Sequence, residues 1–460
     1  MAHSSSHCYN RPKIQHPNSI GEVFRKYGEA YISQYKPDLR AIQLIRNIRK
    51  CRTPYMGAIL IRCKSCGESK RIYKSCGDSK CPIPRYRDKL CQSIKRMKSQ
   101  DKISNRMLNV PYIHATFTLP HHLNPLLRAN PQKLYNLLYR SAWKTIQKVC
   151  AEPDNVGGLP GMIAILHTWG ADMKYHVHLH TLITFGGLDI TCPETSGESK
   201  WQYPKRKDKL ARYRQINRIF REQYFKGIQK LRKKGDLKEI PTMEEILAEV
   251  ENKNWVVNNG KPQVDTKNIE EYLSRYINKI AVSNSSLTFN QAKEQVELIH
   301  NDYKNQIAGE AAPKKVKTFD PLSFIHQFLQ HLPPKHFQRL RYYGLHASSK
   351  QAKVKGKIPE KLKRNGATVR TVMQIIRALL GVQLLECEKC GGVEFGKSIE
   401  KPDPQWLAKN VRGFNPRASP NQLKNKPSCS NASLEKSTRP TVANGKRVAK
   451  KRQNATNTAS

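Results

Sequence analysis

The chain has 460 residues, 38% of them apolar, enough for about two or three domains with a sizeable core. It holds no run of about eighteen apolar residues that could span a bilayer, and Met1 to Asn10 is polar where a secretory leader would be apolar, so the cytoplasm is the expected compartment. Lys and Arg number 82 against 36 Asp and Glu, a net charge of +46 spread through every segment, which calls for nucleic acid as polyanionic partner and disfavours a membrane surface.

The expected organisation starts with a helical segment, residues 1–50. Val23, Phe24, Tyr27 and Tyr31, then Leu39, Ile42, Ile45 and Ile48, recur at three and four, and Pro37 divides two helices. Residues 51–105 are read as a zinc-binding, DNA-binding module around "CKSCGESKRIYKSCGDSKCP". Close cysteine pairs in a chain without an export signal suit a structural zinc site better than disulfides, and Cys63, Cys66, Cys76 and Cys81 are its expected ligands. Cys51 and Cys91 are substitutes should Cys76 point away. The basic stretch from Arg85 to Met107 has the texture of a helix with a solvated or DNA-facing side.

Residues 106–310 are expected to form the catalytic domain. "YIHATFTLP" alternates as a half-buried strand does, residues 131–150 return to helix, and Met162 to Phe185 read as two strands joined by a tight turn around Gly170 and Asp172, a hairpin at the sheet centre. Residues 192–250 are charged and helical in texture, an expected insertion of basic surface outside the sheet. "WVV" at 255–257 suggests one more strand. Asn268 with Glu271 three residues on marks the start of a helix at 268–281. A second helical block, "FDPLSFIHQFLQHLPPKHFQRLRYYGLHASS", opens region 311–395, which ends in a cysteine knuckle, Cys387 and Cys390, with no clear partner pair. From 396 to 460 the chain is rich in Pro, Asn, Ser, Thr and Lys and is expected to be a disordered basic tail.

Three histidines, His176, His178 and His180, alternate along one strand, which puts their imidazoles on one face, where they can converge on a divalent ion. His167, on the partner strand, is placed to act as a third ligand or to orient one. On the 268–281 helix Tyr272 and Tyr276 stand one turn apart; Tyr276 lies within the apolar stripe, Tyr272 at its edge, and Lys279 shares the side of Tyr272. An ion polarising a phosphate beside a phenol that attacks it makes a chemically coherent pair, because a phosphotyrosine conserves the bond energy needed for rejoining. "GGVEFGKS", Gly391 to Ser398, matches the phosphate-loop pattern, but a knuckle precedes it and prolines follow, so the match is read as chance.

The blocks "CRTPYMG", "VPYIHATFTLP", "ILHTWGADMKYHVHLH", "WVV", "YLSRYINKIAVSN" and "RLRYYGLHA", in this order with the cysteine cluster, resemble the insertion-sequence-91 family of rolling-circle transposases, which belong to the HUH (His-hydrophobic-His) endonucleases. The resemblance spans roughly residues 40–395. It implies an α+β fold with an antiparallel sheet and helices on one side, and His178 and His180 as the paired ligands of Mg or Mn. It also implies Tyr272 and Tyr276 as nucleophiles on single-stranded DNA at transposon ends, zinc in the front module, and an enzyme working on the bacterial nucleoid. His176 matches the histidine that precedes the family's pair. The chain departs from the pattern at Pro84, where the family has the last cysteine of CPxC, and at Ile277, Asn278 and Lys279, where it has Thr-His-Arg. Two rival readings remain: a tyrosine recombinase using "HFQR" (His336 to Arg339) with Tyr342 or Tyr343, and a zinc-bearing DNA-binding protein without catalysis.

Overall fold

The computed structural model describes residues 19–78, 80–83, 101–189, 199–251, 253, 255–263, 281–282, 286–307, 310–347, 358–363, 374, 387 and 389–411. All lie in the first of two compact units, Met1–Pro416. In chain order come α1 (Ile20–Tyr35) and α2 (Leu39–Lys50), the hairpin β1 (Ala58–Cys63) and β2 (Ser69–Tyr73), β3 (Tyr112–Thr118), α3 (Asn124–Ala129), α4 (Pro131–Ala151), β4 (Gly161–Trp169), β5 (Tyr175–Thr184), β6 (Gly187–Leu188) and β7 (Trp201–Gln202). There follow α5 (Tyr213–Lys233), α6 (Met243–Glu251), β8 (Val256–Asn259), β9 (Leu287–Asn290), β10 (Gln295–Asn301), β11 (Lys314–Phe319), α7 (Pro321–Leu329), β12 (Leu340–Gly344), β13 (Phe395–Glu400) and α8 (Gln405–Asn410). The class is α+β, as expected, and no described helix is long and apolar enough to cross a membrane.

The central sheet is antiparallel with strand order β12-β4-β5-β3-β8. Strand alternation sorts its side chains into two faces. One face, with Ile113, Ala115, Phe117, Met162, Leu166, Val177 and Leu179, is buried under α4, α5 and α6. The other carries Ile163, Ile165, Tyr112 and Leu182 toward a smaller core and, further along the strands, His114, His167, His178 and His180. The expected hairpin and the strands at Tyr112 and Val256 are all present, with β5 at the sheet centre.

The N-terminal helices form where expected. Asp38 accepts from Ala41 N (2.7 Å) to cap α2, and Lys36 closes α1 in the left-handed region. Phe24 meets Phe328 of α7 edge-on at 5.6 Å. This cluster, shared with β9 and β10, also buries Trp169 and Met173 beside the β4–β5 turn. The Met173 carbonyl accepts from Gln327 Nε2 (2.6 Å) and His331 Nε2 (2.9 Å), so the turn next to the histidines is held from outside the sheet.

Several expectations give way. The segment 192–250 is not merely basic surface: α5 buries Ile216, Ile219, Phe220, Tyr224, Ile228 and Leu231 on the helical side of the sheet. The block after Phe319 is helical only to Leu329; past Pro333 and Pro334, which cannot continue a helix, residues 340–344 add β12 to the sheet edge. The three-stranded sheet β9-β10-β11 was not foreseen. The expected disordered tail does not begin at 396, since Phe395–Glu400 pairs with β1 through backbone hydrogen bonds that need little apolar side chain. Gly391 to Ser398 runs into that strand and opens no helix, in keeping with a chance phosphate-loop match.

Candidate catalytic and structural metal centres

His178 and His180 lie two apart on β5, and the register sets His167 of β4 directly opposite His178. One ring nitrogen from each of His167, His178 and His180 falls within 4.8 Å of the others. His178 Nδ1 donates to the His176 carbonyl (2.9 Å), which leaves its Nε2 lone pair for the cluster. His180 Nδ1 lies 3.1 Å from His114 Nε2 on β3; when it donates there, its own Nε2 is likewise left as an acceptor. The two Nε2 atoms are 3.1 Å apart. Two nitrogens bound at right angles to one ion, each about 2.1 Å from it, stand about 3 Å apart, so the pair fits a shared cation.

Burial keeps these rings neutral, as ligation requires: it lowers His178 to about 3 and His180 to about 2, the neighbouring imidazoles adding to the effect, and His114 to about 4. His176 is placed differently from the expectation. It shares the face but is exposed, and its ring nitrogens are not among the converging group; its carbonyl is what serves His178. His167 takes the third position, while His114 was missed, because an isolated histidine in a strand announces nothing until pairing brings it beside His180. Tyr272, Tyr276 and Lys279 lie outside the described residues.

The four cysteines expected around one zinc divide between two groups. Cys63 and Cys66 gather with Cys387 and Cys390, whereas Cys76 and Cys81 stand with Cys51, each group within 4.8 Å. The hairpin explains the division. Cys63 ends β1, and β2 runs back until Tyr73 pairs with Ala58, so Cys76 emerges at the opposite end, roughly 17 Å of strand away. There Cys51 closes α2, and Cys76 N points at Cys51 Sγ (3.5 Å). Hydrogen bonding from the Cys76 and Cys81 thiols pulls Cys51 down to about 3, and the same bonding raises Cys81. The loop between is pinned by Asp78, which accepts from Asn47 Nδ2 (3.0 Å) and Lys80 N (2.8 Å). Pro84 and Cys91 lie outside the described residues.

Both thiol groups suit a soft divalent metal. Two adjoining grooves sharing Lys80 and Phe337 run from α2 to β12, with Arg40, Lys335 and His336 along one and Arg106 and Arg339 along the other. Of the "HFQR" residues, Phe337 packs against the main core and Arg339 lies against an aromatic ring, whereas His336 and Gln338 are exposed; the tyrosines that follow are engaged in packing. The Arg339 guanidinium covers the Trp169 ring at 5.0 Å, Tyr342 lies under Arg106 at 4.3 Å, and Tyr343, on the opposite face, stacks on Trp143.

The family model "Putative transposase" matches residues 161–353, and the model "Transposase zinc-binding domain" matches residues 23–119. Neither segment includes Cys387 or Cys390. The chain is 29% identical over 335 residues, 71% of its length and 79% of the relative's, to "Putative transposase y4qJ" of Sinorhizobium fredii (strain NBRC 101917 / NGR234). It is 26% identical over 349 residues, 71% of its length and 80% of the relative's, to "Transposase for insertion sequence element IS801" of Pseudomonas savastanoi pv. phaseolicola. No solved structure matches it.

Proposed function

Since the chain belongs to the insertion-sequence-91 family of transposases, and is thus a DNA-processing enzyme with structural zinc, we propose that it nicks and rejoins single-stranded DNA at insertion-sequence ends through a 5′-phosphotyrosine, in rolling-circle transposition. The observation that carries this reading is the pair of His178 and His180 Nε2 atoms, 3.1 Å apart on one sheet face with His167 closing the group.

A divalent ion there, magnesium or manganese, would neutralise charge on the scissile phosphate; imidazole donors favour manganese of the two. The remaining steps belong to the chain. The phenol of Tyr272 or Tyr276 loses its proton and attacks phosphorus, forming the Tyr–O–P bond as the P–O3′ bond breaks and the departing oxygen takes up a proton. Rejoining reverses these events with another 3′-hydroxyl as nucleophile, so no nucleotide cofactor is consumed. Two tyrosines four residues apart in the sequence would permit two successive transfers. Lys80, Lys335 and Arg106 along the grooves are suited to phosphates of the bound strand, which they would hold in register without reading its bases.

The test is covalent capture of labelled single-stranded DNA by the full chain. Adduct formation should require Mn²⁺ or Mg²⁺ and fall more than about 100-fold in His178→Ala with His180→Ala, since such an ion contributes several kcal/mol of charge stabilisation. DNA binding should persist in that variant. Adduct that survives thorough chelation, or survives Tyr272→Phe with Tyr276→Phe, would refute the assignment; loss of DNA binding together with nicking would reduce the histidines to a structural role.

A further inference from the structure

We propose that Cys63, Cys66, Cys387 and Cys390 form one tetrathiolate zinc site that fastens the C-terminal strand β13 to the N-terminal hairpin. The inference is independent of the nicking chemistry and rests on how two knuckles distant in sequence face each other.

Each knuckle is a Cys-x-x-Cys-Gly turn with the same backbone bonding. Gly67 N donates to Cys63 O (3.0 Å) and Cys63 N to Glu68 O (2.8 Å); Gly391 N donates to Cys387 O (2.8 Å) and Cys387 N to Gly392 O (2.8 Å). Both glycines sit at positive φ, 75° and 69°, which the turn requires and which a side chain would resist. The two turns therefore present their sulfurs alike. Across the gap Cys63 Sγ is 3.7 Å from Cys390 Sγ, and Cys66 Sγ is 3.5 Å from Cys387 Sγ. Four sulfurs about 2.3 Å from a tetrahedral ion stand about 3.8 Å apart, so these separations are those of a ZnS₄ centre.

The surroundings repeat the same reciprocity. Lys64, within the first knuckle, pairs with Glu394 (3.2 Å), and Lys389, within the second, approaches Glu68 (3.8 Å). Behind them β1 and β13 pair antiparallel from Ala58↔Glu400 to Cys63↔Phe395, and Arg71 of β2 reaches Glu400 (2.8 Å). The exposed ion pairs add little on their own. A metal bound by all four thiolates is what would make this junction strong, because it would clip segments more than three hundred residues apart. Four thiolates without a nitrogen or oxygen donor select zinc over magnesium, calcium or manganese.

The test counts zinc in the full chain by elemental analysis. Cys387→Ser with Cys390→Ser, and Cys63→Ser with Cys66→Ser, should each lose about one equivalent relative to the unsubstituted protein, and the fourfold variant should lose that same one and no more. Unchanged zinc in the Cys387/Cys390 variant, loss of two equivalents in the fourfold variant, or iron in place of zinc would overturn the proposal. Should the serine variants fail to fold, the unsubstituted protein can be stripped with chelator and oxidised with diamide. Peptide mapping should then join Cys63 or Cys66 to Cys387 or Cys390; absence of that link, or its replacement by one to Cys76 or Cys81, overturns the proposal equally.

Discussion

At the scale of single residues, the histidine centre is a matter of which nitrogen faces where. The His176 carbonyl fixes the tautomer of His178 (2.9 Å), and His114 stands in the equivalent position for His180 (3.1 Å), its ring stacked at 5.3 Å between centroids. A partner of this kind orients a ligand and raises its basicity, and its loss typically costs about 10–100-fold in metal affinity. His114→Phe keeps the ring's bulk and removes its nitrogens. Calorimetric titration with Mn²⁺ should show affinity falling by about that factor while single-stranded DNA binding stays unchanged; an unaltered Mn²⁺ affinity would mean that His114 only fills space. The alternation of His176, His178 and His180 was legible from the sequence, since strand periodicity is local. The choice of His167 over His176, and the presence of His114, depend on the register of β4 and β3 against β5, which no local pattern contains.

Secondary-structure elements were legible where the apolar period was strong and ambiguous where charge diluted it. α1, α2, α4 and the β4–β5 hairpin follow directly from their spacing. In α5 the many Lys and Arg residues disguise a buried stripe that places Phe220 edge-on against Phe117 (5.0 Å) and Trp255 (5.4 Å). Tertiary packing outweighs the charged texture there, because one face of the helix is enough to bury. Phe220→Ala should therefore destabilise the chain by about 3–5 kcal/mol, measured by urea unfolding; a change under about 1 kcal/mol would return α5 to the status of a surface insertion. β12 and β13 escaped notice for the complementary reason. They are short edge strands, ordered by ladder hydrogen bonds to β4 and β1 more than by their own side chains.

For the molecule as a whole, the buried imidazoles tie stability to pH. Burial lowers His331 and His346 to about 4 from the ordinary 6.5. Between pH 6.5 and 4 the unfolded chain binds protons that the folded chain refuses, so stability falls as pH drops through that window and levels off below it. The slope is at most about 1.4 kcal/mol per pH unit for each ring. Urea unfolding of the full chain between pH 7.5 and 5 should show this decline, and His346→Gln should make it shallower; an identical slope in the variant would mean that the ring titrates normally. Neither ring could be singled out from the sequence, because what distinguishes it is burial by segments remote along the chain.

The β1–β13 pairing also bears on how the protein comes to be made. Cys63 leaves the ribosome more than three hundred residues before Cys390, and until Phe395–Glu400 has been synthesised the outer edge of β1 lacks the strand that pairs with it. Completion of the N-terminal module thus waits until more than three hundred further residues have been added. A message cut short anywhere upstream yields a polypeptide whose front end stays open, even though every residue of the β1–β2 hairpin is present.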